Sequence, residues 1–315
     1  IAKSFLAIKK IDDARLYFDK ALTLKPDDYG VIKDLGNTYQ AAGDLNSAKN
    51  YYQKAIKINS SYAPALTNLG SIELKTGDKQ EALSLLIKAT QSDPQLAPAW
   101  GNLANGYFQI GKTQEAETAC RKAIELNPKI FHSHYLFANI LMGQNKLQEA
   151  ALSIRKAIEI KPDFANAHYN LGIILKTLGK AEEAELSTRK AIEIKPDFAE
   201  AHYNLGTILK DLSKVQKAEL SFKKAIELKP NFAEAHYNLA IILNDLDKSQ
   251  KAELSLKKAI EIKPNYFGAL YNLGIILKDL GKLKEAESYQ RKAIELNPNF
   301  FHGHFNLGSI LVDLG

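Results

Sequence analysis

Residues 199–232 read AEAHYNLGTILKDLSKVQKAELSFKKAIELKPNF, and residues 233–266 read AEAHYNLAIILNDLDKSQKAELSLKKAIEIKPNY. The second segment repeats the first with mostly conservative changes, and no residue separates the two. With Ala199 as position 1 of a unit, Ala218 stands at position 20. Working outward, that alanine returns every 34 residues, at Ala14, Ala48, Ala82, Ala116, Ala150, Ala184, Ala218, Ala252 and Ala286, with no insertion. A second alanine follows seven residues later each time, from Ala21 and Ala55 to Ala259 and Ala293. A proline recurs at position 32, in Pro26, Pro94, Pro128, Pro162, Pro196, Pro230, Pro264 and Pro298, and only Ser60 breaks the series. Such a period marks a repeat array, in which each unit buries its apolar face against the next.

Each unit carries two blocks of helical apolar periodicity. The first covers roughly positions 1–14 and ends at a glycine at position 15 (Gly43, Gly77, Gly111, Gly179, Gly281, Gly315), where a left-handed cap is expected. The second runs to about position 30, and the proline at 32 stops it. Asp197 with Glu200, and Asn231 with Glu234, have the spacing of a capping box at the start of the next unit.

This pattern resembles the tetratricopeptide repeat. The residues that carry the resemblance are Trp100 or a histidine at position 4, Leu-Gly at 7 and 8, alanines at 20 and 27, and proline at 32; Leu205-Gly206, Ala218, Phe222, Ala225 and Pro230 give it in one unit. The departures are Ala104, Ala138 and Ala240 in place of the glycine, and leucine where tyrosine is usual at position 11. The resemblance covers the whole chain and implies an all-α, right-handed superhelical solenoid of antiparallel helical hairpins. On this reading residues 1–315 are a single array. Residues 1–28 form a partial repeat entered in mid-helix at Ile1-Ala2, residues 29–300 form eight complete repeats, and residues 301–315 supply a first helix only. Neither end has a polar capping helix, so the parent protein is expected to continue in both directions.

The resemblance also implies that first helices line a concave groove. On a helical wheel, positions 10, 3, 14, 7, 11, 4 and 8 form the packing arc, which leaves 12, 5, 9, 2, 13 and 6 for the groove. Position 6 is asparagine in Asn68, Asn102, Asn170, Asn204, Asn238, Asn272 and Asn306, with Asp34 and Leu136 as exceptions. Position 5 is aromatic in Tyr135, Tyr169, Tyr203, Tyr237, Tyr271 and Phe305; position 9 adds Ile173, Ile241 and Ile275. Position 13 is aspartate in Asp211, Asp245, Asp279 and Asp313. A carboxamide offers a donor and an acceptor, so it can bracket a peptide bond without reading sequence, and aromatic rings add apolar area at low entropic cost. The asparagine series is similar to that of the superhelical repeat domain of eukaryotic O-GlcNAc transferases, in which such residues hold substrate peptides. Two readings stand side by side: a ligand-binding ladder, or asparagines that bond to the neighbouring helix or face water. For the tyrosines, packing on the next hairpin and exposure to the groove are equally open.

Other signals carry less. The chain has 45% hydrophobic and 25% charged residues and a net charge of +6. Those values suit a folded chain and make an anionic partner worth testing. The groove positions hold five basic residues (Lys33, Lys75, Lys176, Lys210, Lys278) against seven acidic ones (Asp34, Glu200, Asp211, Glu234, Asp245, Asp279, Asp313), so the excess positive charge lies elsewhere and nucleic acid is not expected there. The lysine at position 26 of every unit sits near i,i+4 pairs such as Glu219–Lys223 and Glu185–Arg189, a solvated face. Lys33, Asn37 and Asn68 match part of a carboxylate clamp, but Pro98 and Asn102 stand where its further cations belong. His132-x-His134 and His302-x-His304 point about 200° apart on a helix, poor geometry for one metal, and the position-4 histidines read as packing residues. Cys120 reads as a buried, inert thiol. No membrane span, cofactor or metal site is expected, and the single cysteine fits a cytoplasmic or other reducing compartment.

The expectation is a non-catalytic scaffold that binds an extended polypeptide in its groove. Two alternatives accompany it. One is the substrate-recognition arm of a multidomain transferase; the other is a solenoid that self-assembles end to end.

Overall fold

The computed structural model describes residues 11–315, and the reading of Ile1-Ala2 lies outside them. Both blocks of every unit fold as helices, and eighteen helices and no strand occur among the described residues. They form two compact units, residues 1–162 and 163–315. The first holds α1 (Ile11–Leu24), α2 (Tyr29–Ala41), α3 (Leu45–Ile58), α4 (Ala63–Thr76), α5 (Lys79–Ser92), α6 (Ala97–Gln109), α7 (Thr113–Leu126), α8 (Phe131–Gly143) and α9 (Leu147–Ile160). The second holds α10 (Ala165–Thr177), α11 (Ala181–Ile194), α12 (Ala199–Asp211), α13 (Val215–Leu228), α14 (Ala233–Asp245), α15 (Ser249–Ile262), α16 (Phe267–Asp279), α17 (Leu283–Leu296) and α18 (Phe301–Leu314). Within each unit every first helix pairs with the second helix that follows it, and each hairpin packs on the next. This is the stacked-hairpin, all-α architecture of a repeat solenoid.

The invariant alanines explain the close approach. Ala184, Ala191, Ala218, Ala225, Ala252 and Ala259 have no exposed surface, and neither do Ala48, Ala55, Ala82 and Ala89. Position 8 is matched to position 24 of the same hairpin. A Cβ on Gly206 would lie 2.6 Å from the Phe222 ring, and one on Gly36 would lie 2.7 Å from the Tyr52 ring. Where position 8 is alanine, position 24 carries no ring: Ala104 with Cys120, Ala138 with Ile154, Ala240 with Leu256. In the second unit the buried core runs through Leu205, Phe222, Leu239, Leu256 and Leu273. In the first, one cluster gathers around Tyr52 and Leu69 and another around Leu66 and Ala99.

The turn inside each hairpin is a left-handed cap. The backbone N–H at position 16 reaches the carbonyl at position 11, as in Lys214 to Leu209 (2.8 Å) and Lys282 to Leu277 (2.8 Å). Gly43, Gly111, Gly179, Gly281 and Gly315 have positive φ as expected, and so do the non-glycines Asn145, Ser213 and Asp247 at the same position. Gly77 departs from the expectation, with extended φ of −132°. The capping boxes also do not form. The cap residues of α12 and α14 are Phe198 and Phe232, which offer no side-chain acceptor. Glu200 and Glu234 instead reach forward to Lys229 (2.8 Å) and Lys263 (3.5 Å).

Candidate peptide-binding face

In five repeats position 4 fixes how the first helix leaves the preceding turn. The ring nitrogens of Trp100, His134, His202, His236 and His304 lie 2.8–3.0 Å from the carbonyls of Pro94, Pro128, Pro196, Pro230 and Pro298. A carbonyl only accepts, so in these histidines Nε2 carries the proton, as the indole nitrogen does in Trp100. The contact orients the first helix and with it positions 5 and 6.

In the second unit those positions are joined into rungs. The Tyr203 ring lies 4.8 Å from Phe232, and the Lys229 ammonium sits 4.8 Å above that same phenylalanine while also pairing with Glu200. The Tyr203 hydroxyl accepts a hydrogen bond from Nδ2 of Asn238 at 3.1 Å. The next rung repeats the set: Lys263 over Tyr266 (4.9 Å), Tyr266 beside Tyr237 (5.0 Å), and Asn272 Nδ2 donating to the Tyr237 hydroxyl (3.0 Å). In the third, Phe300 meets Tyr271 edge-on (5.0 Å) and Asn306 Nδ2 donates to the Tyr271 hydroxyl (3.0 Å). Tyr169 stacks in the same way on Phe198, at 4.9 Å. Burial pushes the phenols of Tyr169 and Tyr203 above their ordinary value, so both stay protonated at neutral pH. The tyrosines are therefore half-buried braces, neither core nor freely exposed.

Each rung keeps one asparagine Oδ1 as an acceptor. It also keeps one tyrosine O–H as a donor, because that oxygen uses a lone pair for the asparagine. Asn238 spends both amide hydrogens inside the protein, on the Tyr203 hydroxyl and the Glu234 carbonyl, while Asn272 and Asn306 each give one to a tyrosine hydroxyl; in every rung the tyrosine O–H and the asparagine Oδ1 stand on adjacent repeats.

The other predicted residues divide. Asn204 is buried, 8% exposed, and gives Nδ2 to Thr188 Oγ1 (3.2 Å). Asn170 is half-buried on α10. In the first unit Asn68 donates to Asn37 Oδ1 (2.8 Å), a position-9 amide that takes the part played by tyrosine elsewhere. Asn102 is half-buried with no such tyrosine before it. Tyr135 stacks on Phe131 at 6.0 Å. Asp211, Asp245 and Asp279 are exposed; Asp211 pairs with Lys176 (3.6 Å) and Asp313 with Lys278 (3.4 Å). The partial clamp is closed on itself, with Lys33 2.6 Å from Asp34 and Asn37 bonded to Asp34 and Asn68. Cys120 is fully buried, its thiol 3.2 Å from the Ser133 carbonyl and pushed by burial up to about 12. The ring at position 34 and the lysine at 31 complete the rung and are absent from the groove positions that the helical wheel selects. Their signal was present: from Phe164 onward position 34 is aromatic in the same units that carry an aromatic residue at position 5.

Comparison with known proteins follows the same lines. The family model of the cilia and flagella-associated protein 70 C-terminal domain matches residues 28–238, and that of the tetratricopeptide repeat matches residues 233–266 and 267–300. No curated protein matches the chain. Among solved structures, YrrB, described as a TPR protein with an unusual peptide-binding site, is 25% identical over 59% of this chain and 96% of its own, with a TM-score of 0.53. Pseudomonas aeruginosa pilF is 22% identical over 70% of this chain and 98% of its own, with a TM-score of 0.60. The APC/C hetero-tetramer Cut9–Hcn1 is 15% identical over 95% of this chain and 59% of the matched one, also at 0.60. The last two likenesses show the fold alone. No described helix is long and apolar enough to cross a membrane.

Proposed function

The chain belongs to the tetratricopeptide repeat family, matching the cilia and flagella-associated protein 70 C-terminal domain over residues 28–238, and from that premise we propose that it is a non-catalytic scaffold holding an extended polypeptide along the first-helix face of its second unit. The repeat fold is one that mediates protein–protein interaction. The observation that carries the finer reading is the rung: a tyrosine O–H donor and an asparagine Oδ1 acceptor on adjacent repeats, recurring at Tyr203–Asn238, Tyr237–Asn272 and Tyr271–Asn306. A peptide backbone presents one acceptor and one donor per residue, so an extended chain can be held by main-chain groups alone. Ile241 and Ile275 lie half-buried one turn further along, and Asp245 and Asp279 stand exposed beyond them, offering apolar and then acidic contacts to side chains.

The test uses peptides selected from a random display library on the immobilised chain. Asn238, Asn272 and Asn306 are changed together to alanine; Leu136 holds position 6 in the fourth complete repeat, so the fold does not require an amide there. Peptide affinity is expected to fall by about tenfold or more, as for loss of roughly 1.4 kcal/mol, while loss of the inter-repeat amide bonds lowers the melting temperature and leaves the helical circular dichroism signal unchanged at the assay temperature. Equal affinity in the variant would remove the ladder from the binding site. Asn204 is excluded from the set because it is buried against Thr188.

A further inference from the structure

The second helices turn a different face to solvent, opposite their buried alanines, and it carries leucine where other repeats have polar residues. Position 22 is Asn50, Ser84, Thr118 and Ser288 in four repeats, but Leu152, Leu186, Leu220 and Leu254 in four consecutive ones; the partial first repeat has an isolated Leu16 there. The four consecutive leucines are 65, 71, 66 and 68% exposed. The fold accepts serine at this position, so packing within the chain does not demand leucine there. A regular row of exposed leucines is a surface that gains from being covered.

The charges beside the row say what fits it. Position 19 reads Glu149, Glu183, Lys217, Lys251 alongside the four leucines: two acids, then two bases. Read in reverse, this series meets its opposite at every step. Lys217 and Lys251 are exposed and have no ion-pair partner among the described residues, and Glu183 is exposed 3.4 Å from Lys180. Glu149 pairs with Arg121 of the preceding second helix (3.2 Å), while Lys190 with Glu193 (2.7 Å) and Lys224 with Glu227 (2.6 Å) pair within their own helices, exposed contacts that compete only weakly with a partner.

We infer that a second copy of this chain docks here, face to face, through Leu186 and Leu220. A two-fold axis along the helices, lying between α11 and α13 in the plane of contact, keeps helix direction and reverses repeat order. Leu186 then faces Leu220 of the second copy and Glu183 faces its Lys217, and the symmetry makes each contact twice. A furrow of about 420 Å³ beside Leu220 has Ile192 and Leu205 in its lining and Arg189, Glu193, His202 and Lys224 around them, so it offers the incoming leucine an apolar patch within a charged rim. This surface is separate from the asparagine–tyrosine rungs, so the dimer leaves them open.

Sedimentation velocity from micromolar to millimolar chain tests the inference. The unmodified chain is expected to shift from monomer to dimer. Leu186→Ser with Leu220→Ser raises the dimer dissociation constant by about tenfold or more at an unchanged melting temperature. Lys217→Glu alone weakens the dimer, and Lys217→Glu with Glu183→Lys restores it. A chain that stays monomeric throughout, including one whose leucines bind anionic vesicles instead, overturns the proposal. So does a dimer or larger stack indifferent to the serine changes, which would place association at the ends of the array.

Discussion

Ser213 holds φ of +56° in the left-handed region, where its Cβ crowds the following carbonyl and glycine does not. Six glycines occupy the same turn position elsewhere, and five of them share its positive φ. Ser213→Gly is therefore expected to stabilise the chain by about 0.5–1 kcal/mol, read as a higher urea midpoint at unchanged slope. A fall in the midpoint would mean that the serine hydroxyl makes a compensating bond. Residue-scale detail also explains why one letter at position 6 has more than one role. Asn204 follows a hairpin whose position 24 is Thr188, and that hydroxyl draws its amide inward. Asn238 and Asn272 follow Phe222 and Leu256, which offer no acceptor, so they turn to the tyrosine hydroxyl of the preceding repeat. The asparagine series was plain in the sequence. Which asparagine is withdrawn was not, because its partner lies on another helix sixteen residues away.

At the scale of helices, the second helices are clipped to each other by carboxylates that are nearly buried. Glu117 meets Arg121 (2.8 Å) and Lys146 (2.9 Å); Glu219 meets Lys223 and Lys248, and Glu253 meets Lys257 and Lys282 in the same register. Burial opposes ionisation of Glu117, but the two cations outweigh it and hold the carboxyl at about 2, below its ordinary 4.5. A depressed folded-state value contributes stability that is complete above 4.5 and is lost as pH falls toward 2. Glu117→Gln should thus cost roughly 1–3 kcal/mol at neutral pH, and its urea midpoint should converge on that of the unmodified chain near pH 2. A constant gap across pH would assign the loss to packing. The sequence showed the i,i+4 half of this clip, Glu219 to Lys223; the inter-repeat half, to Lys248, needs the stacking of hairpins. The matching of positions 8 and 24 gives a second expectation. Gly206→Ala drives a methyl into the Phe222 ring and should cost about 1–3 kcal/mol. Adding Phe222→Leu should recover most of that, since Ala240 faces Leu256 in the next hairpin; no recovery in the double variant's melting curve would reject the pairing.

At the scale of the molecule, the 34-residue period alone specified hairpins, their order and their buried alanines, because each repeat packs mainly on its neighbours. It could not show the two compact units, which meet in sequence at residue 162. Nor could it show that the rungs are built from side chains drawn from two repeats, four in each of the first two and three in the last. The central claim is that a polypeptide lies along the Tyr–Asn rungs of the second unit. The most direct measurement places a photo-crosslinking phenylalanine analogue at Tyr237 in one chain and at Lys224 on the opposite face in another, then irradiates each with a library-selected peptide. Attachment at position 237 and none at 224 is the predicted result; attachment at 224, or at neither, would contradict it.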